Sequence, residues 1–96
     1  MPKIALTSKA ESDLDGIFEH YARLIGNERA EAVAFSVLEA LSTLDAFPQL
    51  GRPSDTPDCR ELIFSKYPYR AVYTVKGNKL LIYRILHQHA ERPEDW

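Results

Sequence analysis

The spacing of apolar residues changes three times along the chain, and each change marks a new element. Residues 3–6 alternate, with Ile4 and Leu6 apolar between Lys3, Ala5 and Thr7, which predicts a short first strand. From residue 8 the period lengthens to that of a helix. Ala10, Leu14, Ile17, Phe18, Tyr21, Leu24 and Ile25 fall on one stripe. Ser8-Lys9-Ala10-Glu11 reads as a capping box, in which the serine hydroxyl takes the Glu11 amide and the Glu11 carboxylate reaches back. Gly26 supplies the stop, because glycine adopts the left-handed backbone that ends helices. Asn27 is placed to cap a second helix, with Glu28 and Glu31 near its positive end. Its stripe is Ala30, Val33, Ala34, Val37, Leu38, Leu41 and Leu44, and Phe47-Pro48 ends it. Two long helices joined by so few residues lie antiparallel.

Pro48, Gly51, Pro53 and Pro57 make residues 48–58 a loop leading to a sheet. Three strands are predicted near residues 60–65, 67–76 and 79–87, the last two joined by the hairpin signal Gly77-Asn78. The order βααβββ defines an α+β fold, a helical hairpin packed on one face of a mostly antiparallel small sheet. Residues 1–96 form a single domain without repeats. The two-residue turn pairs Lys76 with Lys79, and so Thr74 with Leu81 and Arg70 with Ile85. Side chains alternate faces. Ala71, Tyr73, Val75, Leu80, Ile82, Arg84 and Leu86 share the expected core face. Arg70, Val72, Thr74, Leu81, Tyr83, Ile85 and His87 share the outer one. Arg70 and His87 then become diagonal neighbours, within reach of one ligand. Arg84 is a charge among apolar residues and needs a partner. The expected partner is an acid of the first helix, Asp13 or Asp15, with Asp13 preferred for a structural ion pair.

Composition narrows the class. At 45% hydrophobic and 27% charged, the chain reads as globular. No apolar run spans a bilayer, and Met1-Pro2-Lys3-Ile4 lacks a signal peptide's apolar core, so secretion is not expected. Cys59 is the single cysteine, which excludes an internal disulfide and suits a cytoplasmic protein. The net charge of −2 conceals a division. Residues 1–50 carry four Lys/Arg against eight Asp/Glu, a net of −4, and residues 51–96 carry eight against six, a net of +2. Between Arg60 and His89, six cations (Arg60, Lys66, Arg70, Lys76, Lys79, Arg84) face Glu61 alone. Such a surface suits an acidic or nucleic-acid partner, or is a solvated face that aids solubility.

The ordered set of motifs resembles the RelE/ParE superfamily of type II toxins, and more closely its ParE-like branch. The set begins with Ala10-x-x-Asp13-Leu14-x-x-Ile17 and Tyr21, then Leu44-x-x-Phe47-Pro48-x-x-Gly51-Arg52-Pro53. It continues with Arg60-Glu61-Leu62, Tyr69-Arg70-Ala71-Val72-Tyr73 and Ile82-x-Arg84-Ile85-Leu86-His87. The resemblance covers nearly the whole chain and implies the same helical hairpin on a sheet. It implies one of two activities. ParE-like members poison DNA gyrase by binding. RelE-like members cut mRNA in the ribosome, with basic residues and a tyrosine or histidine on the open sheet face. Here Arg70 falls where a RelE-like enzyme carries a phosphate-stabilising arginine, and His87 is the accompanying acid–base candidate. Glu61 and Ile63 stand where such enzymes carry lysines, and the tail from Ala90 to Trp96 is acidic without tyrosine. Both departures favour the gyrase reading over nuclease chemistry.

The resemblance further implies a cognate ParD-like antitoxin and association as a homodimer or as a hetero-oligomer with that antitoxin. Target- or antitoxin-binding residues are expected at Arg60, Arg70, Val72, Leu81, Tyr83, Ile85, His87 and Trp96. Arg70→Ala is expected to weaken toxicity without loss of fold. A non-toxic binding module on the same scaffold is the remaining alternative. No cofactor is expected. His87-Gln88-His89 offers two imidazoles on one side of a strand but no third ligand, so no metal site is expected. Cys59 has no predicted base beside it, and Gly51-Arg52-Pro53 reads as a turn rather than a phosphate loop.

Overall fold

A computed structural model describes residues 3–88. Its elements are β1 (Lys3–Leu6), α1 (Ser8–Ile25), α2 (Asn27–Ala46), β2 (Arg52–Pro53), β3 (Arg60–Ile63), β4 (Tyr69–Lys76) and β5 (Lys79–His87). They form an α+β fold in two layers, the helices covering one face of a five-stranded sheet of order β1-β5-β4-β3-β2. β1 runs parallel to β5 and the other pairs are antiparallel.

Helix α1 begins one residue earlier than the capping-box reading. Thr7, not Ser8, is the N-cap, and its hydroxyl accepts the Ala10 amide at 3.1 Å. The same hydroxyl donates to the Tyr83 carbonyl at 2.7 Å, and the Thr7 amide donates to the Ile82 carbonyl at 3.0 Å. Thr7 wins because it ends β1 as well as starting α1, so one side chain serves both elements. Gly26, with φ of 89°, is at once the C-cap of α1 and the N-cap of α2. The asparagine cap is therefore not formed, and Asn27 is already helical.

Helix α2 buries Ala30, Val33, Val37, Leu41 and Leu44. Leu38, expected in that stripe, is 43% exposed, because one residue past Val37 turns it about 100° around the helix. Leu24 and Ile25, at the turn between the helices, are exposed too. The core joins this stripe and Ala10 and Ile17 to Leu62, Phe64, Ala71, Tyr73, Leu80, Ile82 and Ile85.

The sheet departs from the expected three-strand plan in two ways. Residues 52–53, read as loop, pair with β3 as a two-residue edge strand. An edge is where a proline such as Pro53, lacking an amide donor, is tolerated. The larger departure is a bulge. Lys76, Val75, Thr74 and Tyr73 face Lys79, Leu80, Leu81 and Ile82 as the turn dictates, but Val72 faces Arg84. Tyr83 is the extra residue of the bulge, and every pairing beyond it shifts by one. Arg70 therefore pairs with Leu86 rather than Ile85, and His87 pairs with Tyr69. The shift moves Ile85, expected on the outer face, into the core beside Ala71. Its physical cause is the single charge in an apolar pattern: the extra residue brings Ile85 to the core in place of Arg84.

Candidate functional site on the open sheet face

The face away from the helices is built from Ala5, Glu61, Ile63, Arg70, Val72, Thr74, Leu81 and Tyr83, by alternation and register. Much of it is closed. Val72 and Arg70 are 0% and 7% exposed, which corrects the expectation that they stand free for contact, and Thr74 on the same face is 4% exposed. Residues 54–59 fold across the strands, and the Asp58 carbonyl accepts the Thr74 hydroxyl at 2.7 Å. Ser54 donates to Glu61 at 2.8 Å, which ties the start of this segment to β3.

Arg70 is held from several sides. Nη1 donates to the carbonyls of His87 at 3.1 Å and Gln88 at 2.6 Å, and Nε lies 3.4 Å from the Glu61 carboxylate. Glu61 also receives Arg52 at 3.9 Å. The arginine thus serves the end of β5 and an internal acid, not an open anion site. His87 is not its neighbour on one face. The bulge puts His87 across from Tyr69, with the rings edge to face at 6.0 Å, while Arg70 points the other way. The shared-ligand arrangement of Arg70 and His87 is therefore not formed. Arg70→Ala should not be the fold-neutral change expected from the sequence. It leaves two carbonyls and a carboxylate short of a cation and should cost about 2 kcal/mol, measurable by urea unfolding. An unchanged midpoint would refute this role.

Arg60 lies on the helix-side face opposite Tyr73, and its Nη1 donates to the Gly51 carbonyl at 2.7 Å and to the Gln49 carbonyl at 3.4 Å. It holds the loop between helix and sheet. Asp13 meets Arg84 in a two-pronged pair, at 2.7 Å to Nε and 2.9 Å to Nη2, and accepts the Ile85 amide at 3.0 Å. Leu81 and Tyr83 remain half-exposed on the open face, where Tyr83 borders two hollows. Trp96 and His89 lie outside the described residues. Among the described residues no His, Cys, Asp and Glu side chains group as metal ligands.

Two features of this region had no signal in the sequence. One is the bulge at Tyr83, which shifts the pairing of every later residue of β5. The other is Glu61 as the acid answering Arg70, since the two sit on different strands. A third group, Tyr69, is chemically distinct. Burial, reinforced by a hydrogen bond and charge interaction with Tyr21, raises its phenol to about 12. Burial also raises Tyr73. A phenol whose folded value lies above the usual 10 contributes stability that is complete below pH 10 and lost as pH rises toward 12. The chain should accordingly lose stability across that window. Tyr69→Phe should flatten the loss and remove one of the steps above pH 10 from an ultraviolet phenol titration, and an unaltered titration would contradict the assignment.

Nearly the whole chain matches proteins of known class. Residues 4–91 match the family model described as ParE toxin of type II toxin-antitoxin system, parDE. The chain belongs to the ParE toxin family. Toxin ParE3 of Caulobacter vibrioides is 32% identical over 88 residues, spanning 90% of this chain and 86% of that protein. Among solved structures, the chromosomal ParDE system of P. aeruginosa superposes with a TM-score of 0.83 at 37% identity, over 91% of this chain and 96% of that one. The intact E. coli RelBE toxin-antitoxin complex superposes at 0.65 with 19% identity, over 96% and 100% of the two chains, a likeness of fold alone. Within this ParE-family chain, Asp13, Gly51 and Arg84 of the sequence motifs are framework residues. No helix among the described residues is long and apolar enough to cross a membrane.

Proposed function

We propose that this ParE-family chain is a toxin that inhibits DNA gyrase by binding it, and that a cognate ParD-like antitoxin neutralises it in a hetero-oligomeric complex in the cytoplasm. The observation that carries the reading is the state of Arg70. The residue that the resemblance puts at the phosphate position of a nuclease is 7% exposed, ion-paired with Glu61 and hydrogen-bonded to the end of β5. A cation so engaged is poorly placed to stabilise a scissile phosphate. Binding through the remaining open surface, centred on Leu81 and Tyr83, needs no such group.

The test is expression of the chain alone and with the product of the adjacent gene. The expected result is growth arrest with a DNA-damage response, relieved by co-expression, and altered supercoiling by purified gyrase in the presence of the chain. Transcripts cut on the ribosome with gyrase unaffected would replace this reading with the nuclease one. Normal growth at high expression would leave a non-toxic binding module.

A further inference from the structure

We propose that the hollow between α2 and the β3–β4 connection is the docking site of the chain's own residues 89–96, with the Trp96 ring on its apolar floor and the acids of that segment at Lys66. The inference stands apart from the toxin–antitoxin reading and needs no second molecule.

The hollow has a volume of about 340 Å³, a size that receives a large side chain rather than a single water. Val37 and Ala40 of α2, with Phe64 and Tyr67 of the β3–β4 connection, give it an apolar floor. That floor is preformed. Val37 and Phe64 are 1% and 5% exposed members of the core, and the Tyr67 ring stands edge to face with Tyr21 of α1 at 6.0 Å. Glu39 and Lys66 add one charge of each sign to the lining. Among the described residues no ion pair engages either of them.

Chain connectivity decides the occupant. Gln88, the last described residue, is tied to the same connection by three hydrogen bonds. Its amide donates to the Pro68 carbonyl at 2.8 Å, and its Nε2 donates to the carbonyls of Phe64 at 3.1 Å and Tyr69 at 3.4 Å. The chain after Gln88 therefore departs from a wall of the hollow. Eight residues reach about 26 Å when extended, ample to turn back over Phe64. A tethered segment also binds at the high effective concentration that its short tether sets. The composition of residues 89–96 matches the lining. Trp96 is their one large apolar side chain, and an indole gains most where its ring is buried and its N–H finds an acceptor. The hydroxyls of Ser36 and Ser65 in the same lining can accept that N–H. Glu91, Glu94 and Asp95 supply acids for Lys66, and Arg92 supplies a cation for Glu39. Exposed ion pairs are individually weak, so burial of the ring carries the contact and the charges orient it.

Trp96 is the single tryptophan of the chain, so its fluorescence reports the contact directly. The experiment measures emission wavelength and acrylamide quenching in the full chain, with circular dichroism to check that each variant is folded. The native chain should emit to the blue of the urea-unfolded chain and be quenched less. Ala40→Met, which fills the floor, and Lys66→Glu, which reverses the charge, should each shift emission to the red and raise quenching about twofold or more. Lys76→Glu is the control, a like reversal seven residues along β4 and about 23 Å from its start, and should leave both readings unchanged. Adding Glu94→Lys/Asp95→Lys to Lys66→Glu should restore the native readings, which a loss of fold could not do. Emission and quenching equal to those of the unfolded chain would overturn the docking. So would a protected Trp96 that folded hollow variants leave unchanged, since the ring would then lie elsewhere. A protection that fades on dilution would place the ring in a second copy and overturn the intramolecular contact.

Discussion

Asp13→Ala is expected to lower the melting temperature by about 12 °C or more. The carboxylate makes three bonds across the layers, two to Arg84 and one to the Ile85 amide. The Arg84 and Asp13 side chains are only 17% and 16% exposed. Removing the acid leaves a guanidinium and an amide without an acceptor where water reaches poorly. Truncating one member of such a pair costs about 3 kcal/mol. In a domain of this size each kcal/mol shifts the midpoint by about 4 °C or more. The location raises the stakes. β1 ends at Leu6 opposite Ile82, so β5 beyond that point lacks a strand neighbour on this side, and Asp13 of α1 takes over the pairing at Ile85. Arg84→Ala should cost less, because Asp13 keeps the amide. The double variant should cost less than the sum, with a coupling of about 1–3 kcal/mol by thermal or urea unfolding. Additive losses would show that the pair does not act as a unit.

Gly51→Ala is the second large effect. A methyl group there would lie 2.6 Å from the Tyr73 hydroxyl, 2.7 Å from its Cε1 and 2.9 Å from the Glu61 carbonyl oxygen. Tyr73 is fully buried and cannot swing away. Its hydroxyl accepts the Gly51 amide at 2.8 Å and donates to the Pro48 carbonyl at 2.9 Å, which pins the exit from α2 to the centre of the sheet. The substitution overpacks this contact and displaces both bonds, at an expected cost of about 3 kcal/mol. Tyr73→Phe alone should cost about 1–2 kcal/mol, by leaving a buried amide and carbonyl unpaired. In the Tyr73→Phe background, Gly51→Ala should be milder but not neutral, because the ring carbon and the Glu61 carbonyl remain close. A Gly51→Ala variant as stable as wild type would dismiss the close-packing account of the Phe47-Pro48-x-x-Gly51 motif.

The helices and the hairpin turn were legible because their signals are local. Apolar spacing of three and four residues, Gly26 at a φ of 89° and Gly77 at 58° each act within a few residues. The pairing of Lys76 with Lys79 follows from the turn length alone, and the expected register holds as far as Tyr73 and Ile82. The candidate site was read less well, and one residue accounts for much of the difference. Strict alternation puts Arg84 in the core and Ile85 in solvent. Inserting Tyr83 as a bulge reverses Ile85 and separates Arg70 from His87. A bulge is the outcome of competition between whole faces, and no local motif announces it.

The sequence by itself determined the α+β class, the helical hairpin, the β4–β5 turn, the clustering of basic residues after residue 60, and the need of Arg84 for an acid. These follow from periodicity, turn chemistry and the cost of an unpaired charge. Only the tertiary structure decided which cations remain open to a partner. Arg60 is drawn to the carbonyls of residues 49 and 51, Arg70 to Glu61 and the end of β5, and Arg84 to Asp13. The exposed Lys76 and Lys79 line a hollow on the open face. The physical reason is that a partly buried arginine must find acceptors within its own fold, whereas a lysine at a hairpin tip keeps its hydration until a partner replaces it.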